Sequence, residues 1–270
     1  MTYTELVRPP HTSARERNYT FYGGLTSNSF TGIGIEFEFD NPETSNREKF
    51  RENLAETIFT YNDCTHFMVE KDTSLVSGVE VITHPHTIDE MRAFFNRDLE
   101  CLLDRVDSVG AKDFAYTTGT HFHISKTLFG ETIEKQKEAI AKLWYFYSTN
   151  KELMMRIGHR IREKQCVCPE DLNTPAAAQA KVDLEFDTKA RRIRFSKFQA
   201  INLRHQDTVE FRMFQGTTNF SLLCFWLEWV WHISNRAKSI SWDDAAKIDS
   251  WMDGSPQVVK KYIKKYMKGS

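Results

Sequence analysis

The stretch that decides the fold is Gly32-Ile33-Gly34-Ile35-Glu36-Phe37-Glu38-Phe39-Asp40. Successive side chains of a β-strand point to opposite faces, so its apolar side chains share one face and its three carboxylates share the other. A row of carboxylates repels itself and gains nothing from water, which favours a cation bound against the strand. The alternative is an acidic edge strand that blocks aggregation, although edge strands more often use lysine.

The composition predicts a folded protein without a strong overall charge. The chain has 270 residues, 40% of them hydrophobic, with 20 Phe and 6 Trp, which is enough for a large core. Its 36 Lys and Arg nearly balance 37 Asp and Glu, and a net charge of -1 excludes a global field that attracts nucleic acid.

No targeting or membrane segment is expected. No apolar run approaches the roughly 20 residues of a membrane helix, and Met1 to His11 lacks the apolar centre of a secretion signal. Five cysteines without paired spacing predict reduced thiols. We therefore expect a soluble cytoplasmic protein.

Strands and helices follow one another along the chain. Beyond the first strand, we predict a hairpin between His66 and Pro85 and three further strands, Tyr116 to Ser125, Phe198 to Leu203 and Thr208 to Phe214. Helices are predicted behind capping boxes at Ser45/Glu48 and Thr87/Glu90, from Thr132 to Arg156 with Ile133 buried, from Ser221 to Arg236, after Ser241, and after Ser255-Pro256.

The chain is predicted to form one domain. Residues 1–30 are an irregular lead-in, and residues 31–270 form the domain, because no segment is rich enough in Pro, Gly or Ser to be a linker. Residues 159–197 are too long for an ordinary connection and are interpreted as a lid or a partly helical insertion. The last helix is rich in lysine; a half-buried surface helix is its simplest interpretation, and contact with a polyanion or a membrane surface is the alternative.

Four predicted strands have one apolar face and one face of functional side chains. Besides Glu36 and Glu38, the polar faces carry Glu80 in the hairpin, His121 with His123, and Glu210 with Arg212. A single buried His or a single Glu-x-Arg is usually structural. Four coincident strands in one sheet would instead form a concentrated polar surface opposite the helices.

This surface favours phosphoryl transfer with divalent metal ions. Carboxylates with one imidazole suit Mg²⁺ or Mn²⁺, and their number suggests two or more ions. Arg212 lies two residues, about 7 Å, from Glu210 on the same face. A phosphate could therefore bridge the metal and the guanidinium. The chain has neither a P-loop nor a dinucleotide fingerprint.

Four motifs, in this order, resemble the amidoligase family, which belongs to the carboxylate–amine ligase superfamily with glutamine synthetase and glutamate–cysteine ligase. The resemblance runs from about Gly32 to the helix after Thr217. The motifs are Gly34-Ile35-Glu36-Phe37-Glu38-Phe39, Asp72-x-Ser74-Leu75-x-x-Gly78-Val79-Glu80-Val81-Ile82-Thr83, Gly119-Thr120-His121-Phe122-His123-Ile124-Ser125, and Phe198-Gln199-Ala200-Ile201-Asn202-Leu203 leading to Thr208-Val209-Glu210-Phe211-Arg212-Met213-Phe214-x-Gly216-Thr217.

The resemblance implies an α+β fold, with a curved antiparallel sheet like the catalytic domain of glutamine synthetase. Helices would cover one face, and ATP with two or three Mg²⁺ or Mn²⁺ ions would bind the other. The implied reaction is ATP-dependent formation of an amide through an acyl phosphate.

Site residues follow from the resemblance by position. Glu36, Glu38, Glu80 and Glu210 resemble metal ligands, His121 a metal or phosphate ligand, and His123 a nucleotide-phosphate contact. Arg212 resembles the arginine that stabilises the transferring phosphoryl group. Asp72 and Asn202 match the pattern, with Asn202 assigned to the nucleotide. Independently of the resemblance, Lys197 belongs to a basic run with Arg191, Arg192 and Arg194 that flanks the last hairpin. This run is assigned to phosphate or an acidic substrate, with a solvated charge run as the alternative.

Other functions remain open at this stage. A metal-dependent hydrolase could use the same face without ATP, and a non-catalytic binding protein could retain the fold. Cys166 and Cys168 with His159 would make a weak zinc site. His84 and His86 are interpreted as supporting residues. The carboxylate and amine substrates, whether small molecules or peptides, and homo-oligomer formation are left open.

Overall fold

A computed structural model describes residues 31–61, 67–160, 172–186 and 199–268. Its six strands are β1 (Ile33–Phe39), β2 (Phe67–Glu70), β3 (Val79–Thr83), β4 (Gly119–Ser125), β5 (Ile201–Asn202) and β6 (Thr208–Gln215). They form one open antiparallel sheet in the order β2-β3-β1-β4-β6-β5.

Helices precede, separate and follow the two hairpins β2–β3 and β5–β6. They are α1 (Arg47–Tyr61), α2 (Ile88–Phe94), α3 (Glu100–Ser108), α4 (Ile133–Thr149), α5 (Lys151–Ile157), α6 (Pro175–Phe186), α7 (Phe220–Arg236), α8 (Ile248–Met252) and α9 (Gln257–Lys268). A π-helical turn, Phe95–Leu99, joins α2 to α3, and a 3₁₀ turn, Lys126–Phe129, follows β4. This mixed architecture agrees with the predicted α+β class.

The described chain divides into two compact units. Of the described residues, the first unit contains 32–61, 67–121 and 215–224, and the second contains 31, 122–160, 172–186, 199–214 and 225–268. The prediction of a single domain stays a prediction. Among the described helices, none combines the length and apolarity that a membrane crossing requires.

The apolar faces of the strands lie in the core, as the alternation predicts. In the first unit Ile33, Ile35 and Phe37 on β1 and Val79 and Val81 on β3 are at most 1% exposed. In the second unit Phe122, Ile124, Val209, Phe211 and Met213 are fully buried, with Trp144, Trp226, Trp229 and Trp251 from the helices.

Gly78 allows β1 and β3 to approach each other. A Cβ atom at this position would lie 1.9 Å from the carbonyl oxygen of Phe39, closer than any real contact. Only glycine therefore permits the pairing of Phe39 with Val79, which sets the register of the two strands.

The ends of several predicted elements were wrong. Asn46, not Ser45, caps α1, because its Oδ1 accepts from the backbone N–H of Lys49 at 3.1 Å. The predicted helix from Thr132 to Arg156 breaks at Asn150, whose side chain donates to Phe146 O and Ala246 O. Ile133 is 57% exposed because it occupies the first position of α4.

Two further local predictions have different outcomes. The capping box at Thr87 and Glu90 is confirmed, with both reciprocal hydrogen bonds present. Ser241 does accept the backbone N–H of Asp244, but a turn follows and α8 begins only at Ile248. The predicted insertion between 159 and 197 contains α6, and its remaining residues beyond Arg160 fall largely outside the described ranges.

Candidate metal centre

A row of glutamates crosses three adjacent strands of the first unit. Glu80 on β3 lies opposite Glu38 on β1 and opposite Glu70 on β2. Directly paired residues of antiparallel strands point to the same face with Cβ atoms about 5 Å apart, and like charges in such pairs are destabilising. The antiparallel register therefore concentrates carboxylates that local sequence would keep apart.

Two overlapping groups in this unit could each hold a metal ion. The first is Glu36, Glu80 and His121, and the second is Glu38, Asp72 and Glu80; in each group the potential ligand atoms lie within 4.8 Å of one another. Glu80 belongs to both groups. Hard carboxylate oxygens with one imidazole are the donor set that Mg²⁺ and Mn²⁺ accept, so the residues present fit such ions.

The electrostatics of this acidic cluster, defined as Glu36, Glu38, Glu70, Asp72 and Glu80, centre on Glu80. Its burial, followed by the charges of Glu36, Glu38, Asp72 and Glu70, raises the pKa of the Glu80 carboxyl well above its usual range. A divalent cation would reverse this penalty, because it favours the ionised carboxylates.

Neighbouring groups orient several of the side chains that could hold the two ions. His121, 2% exposed, places Nδ1 3.3 Å from Glu36 Oε2. The backbone N–H of Gly119 donates to Glu38 Oε2. Asp72 Oδ1 accepts from the N–H of Ser74 at 2.6 Å, so the turn itself orients the carboxylate. Such supporting contacts hold candidate ligands in place before an ion binds.

Asp40 corrects the interpretation of the first strand as three carboxylates sharing a cation. It follows the end of β1, is fully buried, and accepts five hydrogen bonds, at 2.7–2.9 Å. The donors are Asn41 N, Val76 N, Ser77 N, Ser77 Oγ and Thr117 Oγ1. Asp40 thus stabilises the turn that carries Asp72.

Glu70 is a member of the cluster that sequence reasoning missed. It is 1% exposed and pairs with Glu80 across β2 and β3. The available signal was the last residue of the predicted strand Phe67-Met68-Val69-Glu70, a carboxylate at the end of an apolar run. Its place opposite Glu80 depends on the hairpin register, which that run alone does not define.

A second polar group lies in the second unit around Glu210. This carboxylate is 1% exposed and accepts from Asn202 Nδ2 at 2.7 Å. Arg212 Nη1 forms an ion pair with Glu210 Oε1, and His205 Nε2 lies 3.1 Å from Oε2. His123 places its ring 5.1 Å from that of His205. The pairing of β5 with β6 puts Asn202 directly opposite Glu210.

His205 is the second residue that sequence reasoning missed, since it lies in the predicted turn between β5 and β6. Lys126 holds that turn: it is 6% exposed and donates through Nζ to His205 O at 2.6 Å and Gln206 O at 3.0 Å. A histidine placed just after Asn202, in a hairpin that returns to Glu210, was the signal that could have identified it.

Several candidates fall outside the described residues. These are Lys197, Arg191, Arg192, Arg194, Cys166 and Cys168. His159, the third candidate of the zinc site, is described, and its Nε2 lies 2.5 Å from Tyr266 Oη. His84 and His86 are both buried. Cys101 is exposed and Cys224 is half-buried.

Comparison with known proteins does not identify a function for this site. No model of a known protein family matches the chain, and no curated protein matches it.

Proposed function

We propose that the protein is an ATP-dependent ligase that joins a carboxylate to an amine with the help of Mg²⁺ or Mn²⁺. The observation that carries the proposal is the pair of overlapping acidic groups that share Glu80. Two adjacent divalent cations are what phosphoryl transfer from ATP commonly requires, since they neutralise the phosphates and fix their position.

The resemblance of the four motifs extends the proposal from metal binding to ligation. In this proposal Glu36, Glu38, Asp72, Glu80 and His121 hold the ions. Glu210, a metal ligand by resemblance, is paired with Arg212; we propose that Arg212 contacts the transferring phosphoryl group when nucleotide binds. The curved sheet of the glutamine synthetase catalytic domain belongs to the same proposal.

The proposed reaction has two steps. An oxygen of the substrate carboxylate attacks the γ-phosphorus of ATP, the bond to ADP breaks, and an acyl phosphate forms. The amine nitrogen then attacks the carbonyl carbon, phosphate leaves, and the nitrogen loses a proton. His123, Asn202 and Lys197 are the remaining proposed contacts to the nucleotide, and catalysis would consist mainly of positioning and charge neutralisation.

Phosphate release from ATP tests the proposal directly. The protein would be incubated with ATP and Mg²⁺ and challenged with pools of amino acids, polyamines and peptides, and products would be examined by mass spectrometry. We expect one pool to stimulate release and to yield a new amide. Glu38→Ala and Arg212→Ala should each lower the rate at least about 100-fold, as losses of transition-state contacts do.

Two matched variants control for general damage. Glu43→Ala and Arg97→Ala remove an exposed carboxylate and an exposed guanidinium away from the cluster, and should leave the rate unchanged. Metal-dependent cleavage of a substrate without ATP would favour the hydrolase instead. Folded protein that binds no metal–ATP and turns over no pool would contradict the ligase.

A further inference from the structure

The last helix, α9, carries a strip of positive charge on one side. Its five lysines are Lys260, Lys261, Lys264, Lys265 and Lys268, and the helix contains no Asp or Glu. At 100° per residue these positions fall within an arc of about 140°. Four of them are exposed and Lys260 is half-buried. We call these five residues the lysine face.

The opposite side of α9 is occupied by the protein. Val259 and Ile263 are at most 1% exposed. The ring of Tyr262 stacks on Phe225 at a centroid distance of 4.5 Å, and Tyr266 Oη lies 2.5 Å from His159 Nε2. The helix is therefore held with a fixed orientation that presents the lysines outward.

The lysine face has no ion-pair partner within the described residues. Elsewhere lysines do pair, as in Lys142 with Glu138 at 2.7 Å and Lys247 with Asp244 at 2.9 Å. Asp253, the acid that most closely precedes α9, pairs with Arg236 at 3.3 Å. Lysines four residues apart on a helix repel each other, and no acidic side chain among the described residues pairs with these lysines to offset that repulsion.

The helix dipole does not account for this arrangement. Cations stabilise the C-terminal end of a helix, which suits Lys265 and Lys268 in the last turn. Lys260, Lys261 and Lys264 lie before the last turn, where the dipole gives positive charge no support. An external anion would relieve the repulsion among the lysines.

We propose that the lysine face binds the phosphate backbone of double-stranded nucleic acid, independently of sequence. From Lys260 to Lys268 the helix rises about 12 Å. Along the duplex axis each strand has one phosphate about every 3.4 Å, so this length corresponds to three to four phosphates of one strand. Lysine is a point charge suited to phosphate, whereas base recognition favours arginine or amide side chains. The net charge of the whole chain is only -1 because acidic residues elsewhere balance this local positive strip.

The structure favours this partner over two others. Stacking on single strands needs exposed aromatic rings, and both tyrosines of α9 contact the protein. Insertion into a membrane interface needs a broad exposed apolar face, whereas on α9 Val259 and Ile263 are buried and Met267 is the one exposed large apolar side chain.

Fluorescence anisotropy with a short labelled DNA duplex of random sequence tests the proposal on the full chain. Binding should weaken with salt, with a slope of about -3 in log K against log salt concentration for three to four phosphates. The triple variant Lys261→Gln, Lys264→Gln and Lys265→Gln should weaken binding at least about ten-fold at low salt and reduce the slope by roughly two to three.

The matched control is Lys49→Gln, Lys112→Gln and Lys135→Gln, which removes the same charge from three exposed lysines elsewhere. It should bind as the unaltered protein does. Equal losses in the two triple variants, no salt-dependent binding to the duplex, or binding to phosphatidylserine vesicles in place of the duplex would overturn the proposal. Circular dichroism of both variants verifies that α9 stays folded.

Discussion

The carboxylate of Asp40 organises the turn next to the acidic cluster. Its two oxygens accept hydrogen bonds from donors that lie up to 77 residues away in sequence, and no side chain atom of Asp40 reaches solvent. Although Asp40 continues the alternation of Glu36 and Glu38, its negative charge is used to fix backbone. The carboxylate of Asp40 therefore has a structural role that its place in this alternation does not indicate.

Asp40→Asn tests this structural role. The amide presents one acceptor oxygen and a donor group to a pocket of five donors, so we expect a loss of about 2–4 kcal/mol in the free energy of unfolding. Urea denaturation would measure it. Asp89→Asn, at a position 88% exposed in its side chain, is the control and should change stability by less than about 0.5 kcal/mol. Equal stability of the two variants would contradict the assigned role.

At the scale of elements, α6 shows how a helix of the predicted insertion is held. It packs against α4 through its buried residues Ala178, Val182 and Glu185. Lys137 on α4 pairs with Asp183 at 3.4 Å, and Lys126 lies 5.0 Å above the ring of Phe186. Glu185 is unusual among the side chains of α6, because it is a carboxylic acid that is only 1% exposed.

Glu185 should make stability depend on pH. Burial raises its pKa from 4.5 to about 7, although Lys181, 3.6 Å away, and Lys126 oppose the shift. Between these two values the folded protein keeps a proton that the unfolded chain releases. The contribution of Glu185 to stability is therefore fully present below pH 4.5 and is lost as the pH rises towards 7, by about 3 kcal/mol in all.

Chemical denaturation between pH 4 and pH 8 measures this dependence. Glu185→Gln has a similar shape but no titrating proton, so its stability should fall less than that of the unaltered protein across the same interval. Curves for the two proteins that stay parallel would show that Glu185 does not titrate in this range.

The strands and helices were largely predictable, while their ends were not. Alternation of Ile33, Ile35 and Phe37 with glutamates identified β1 and its buried face, because burial acts on each strand separately. The break at Asn150 was missed because the residue that satisfies its side chain, Ala246, is 96 positions away.

At the scale of the whole molecule, the acidic cluster joins distant parts of the first unit. Its members come from β1, β2, β3 and the turn at Asp72, and His121 on β4 is a further possible ligand beside Glu36 and Glu80. A cation bound there would link segments from Glu36 to His121. It would also remove the repulsion among the carboxylates, so metal binding and stability should be coupled.

Thermal unfolding with and without Mn²⁺ measures this coupling. At a metal concentration about 100 times the dissociation constant, the gain should be about 2.7 kcal/mol, which corresponds to a rise of roughly 5–10 °C in Tm. Glu80→Gln should be at least as stable as the unaltered protein in EDTA, because it removes a carboxyl whose ionisation is opposed by burial and by the neighbouring carboxylates, and it should gain little from Mn²⁺. Sodium chloride at equal ionic strength is the control; equal metal shifts in both proteins would exclude Glu80 as a ligand.

The sequence by itself determined which side chains share a face, because alternation is a local property of an extended chain. It identified Glu36, Glu38, Glu80 and His121 as polar residues opposite a buried face. Only the tertiary structure decided which of these meet. Strand register placed Glu70 and Glu38 on either side of Glu80. The carboxylate of Asp40 instead accepts hydrogen bonds from a turn that is distant in sequence. Contacts of this kind depend on pairing and hydrogen bonds between remote segments, which no local pattern encodes.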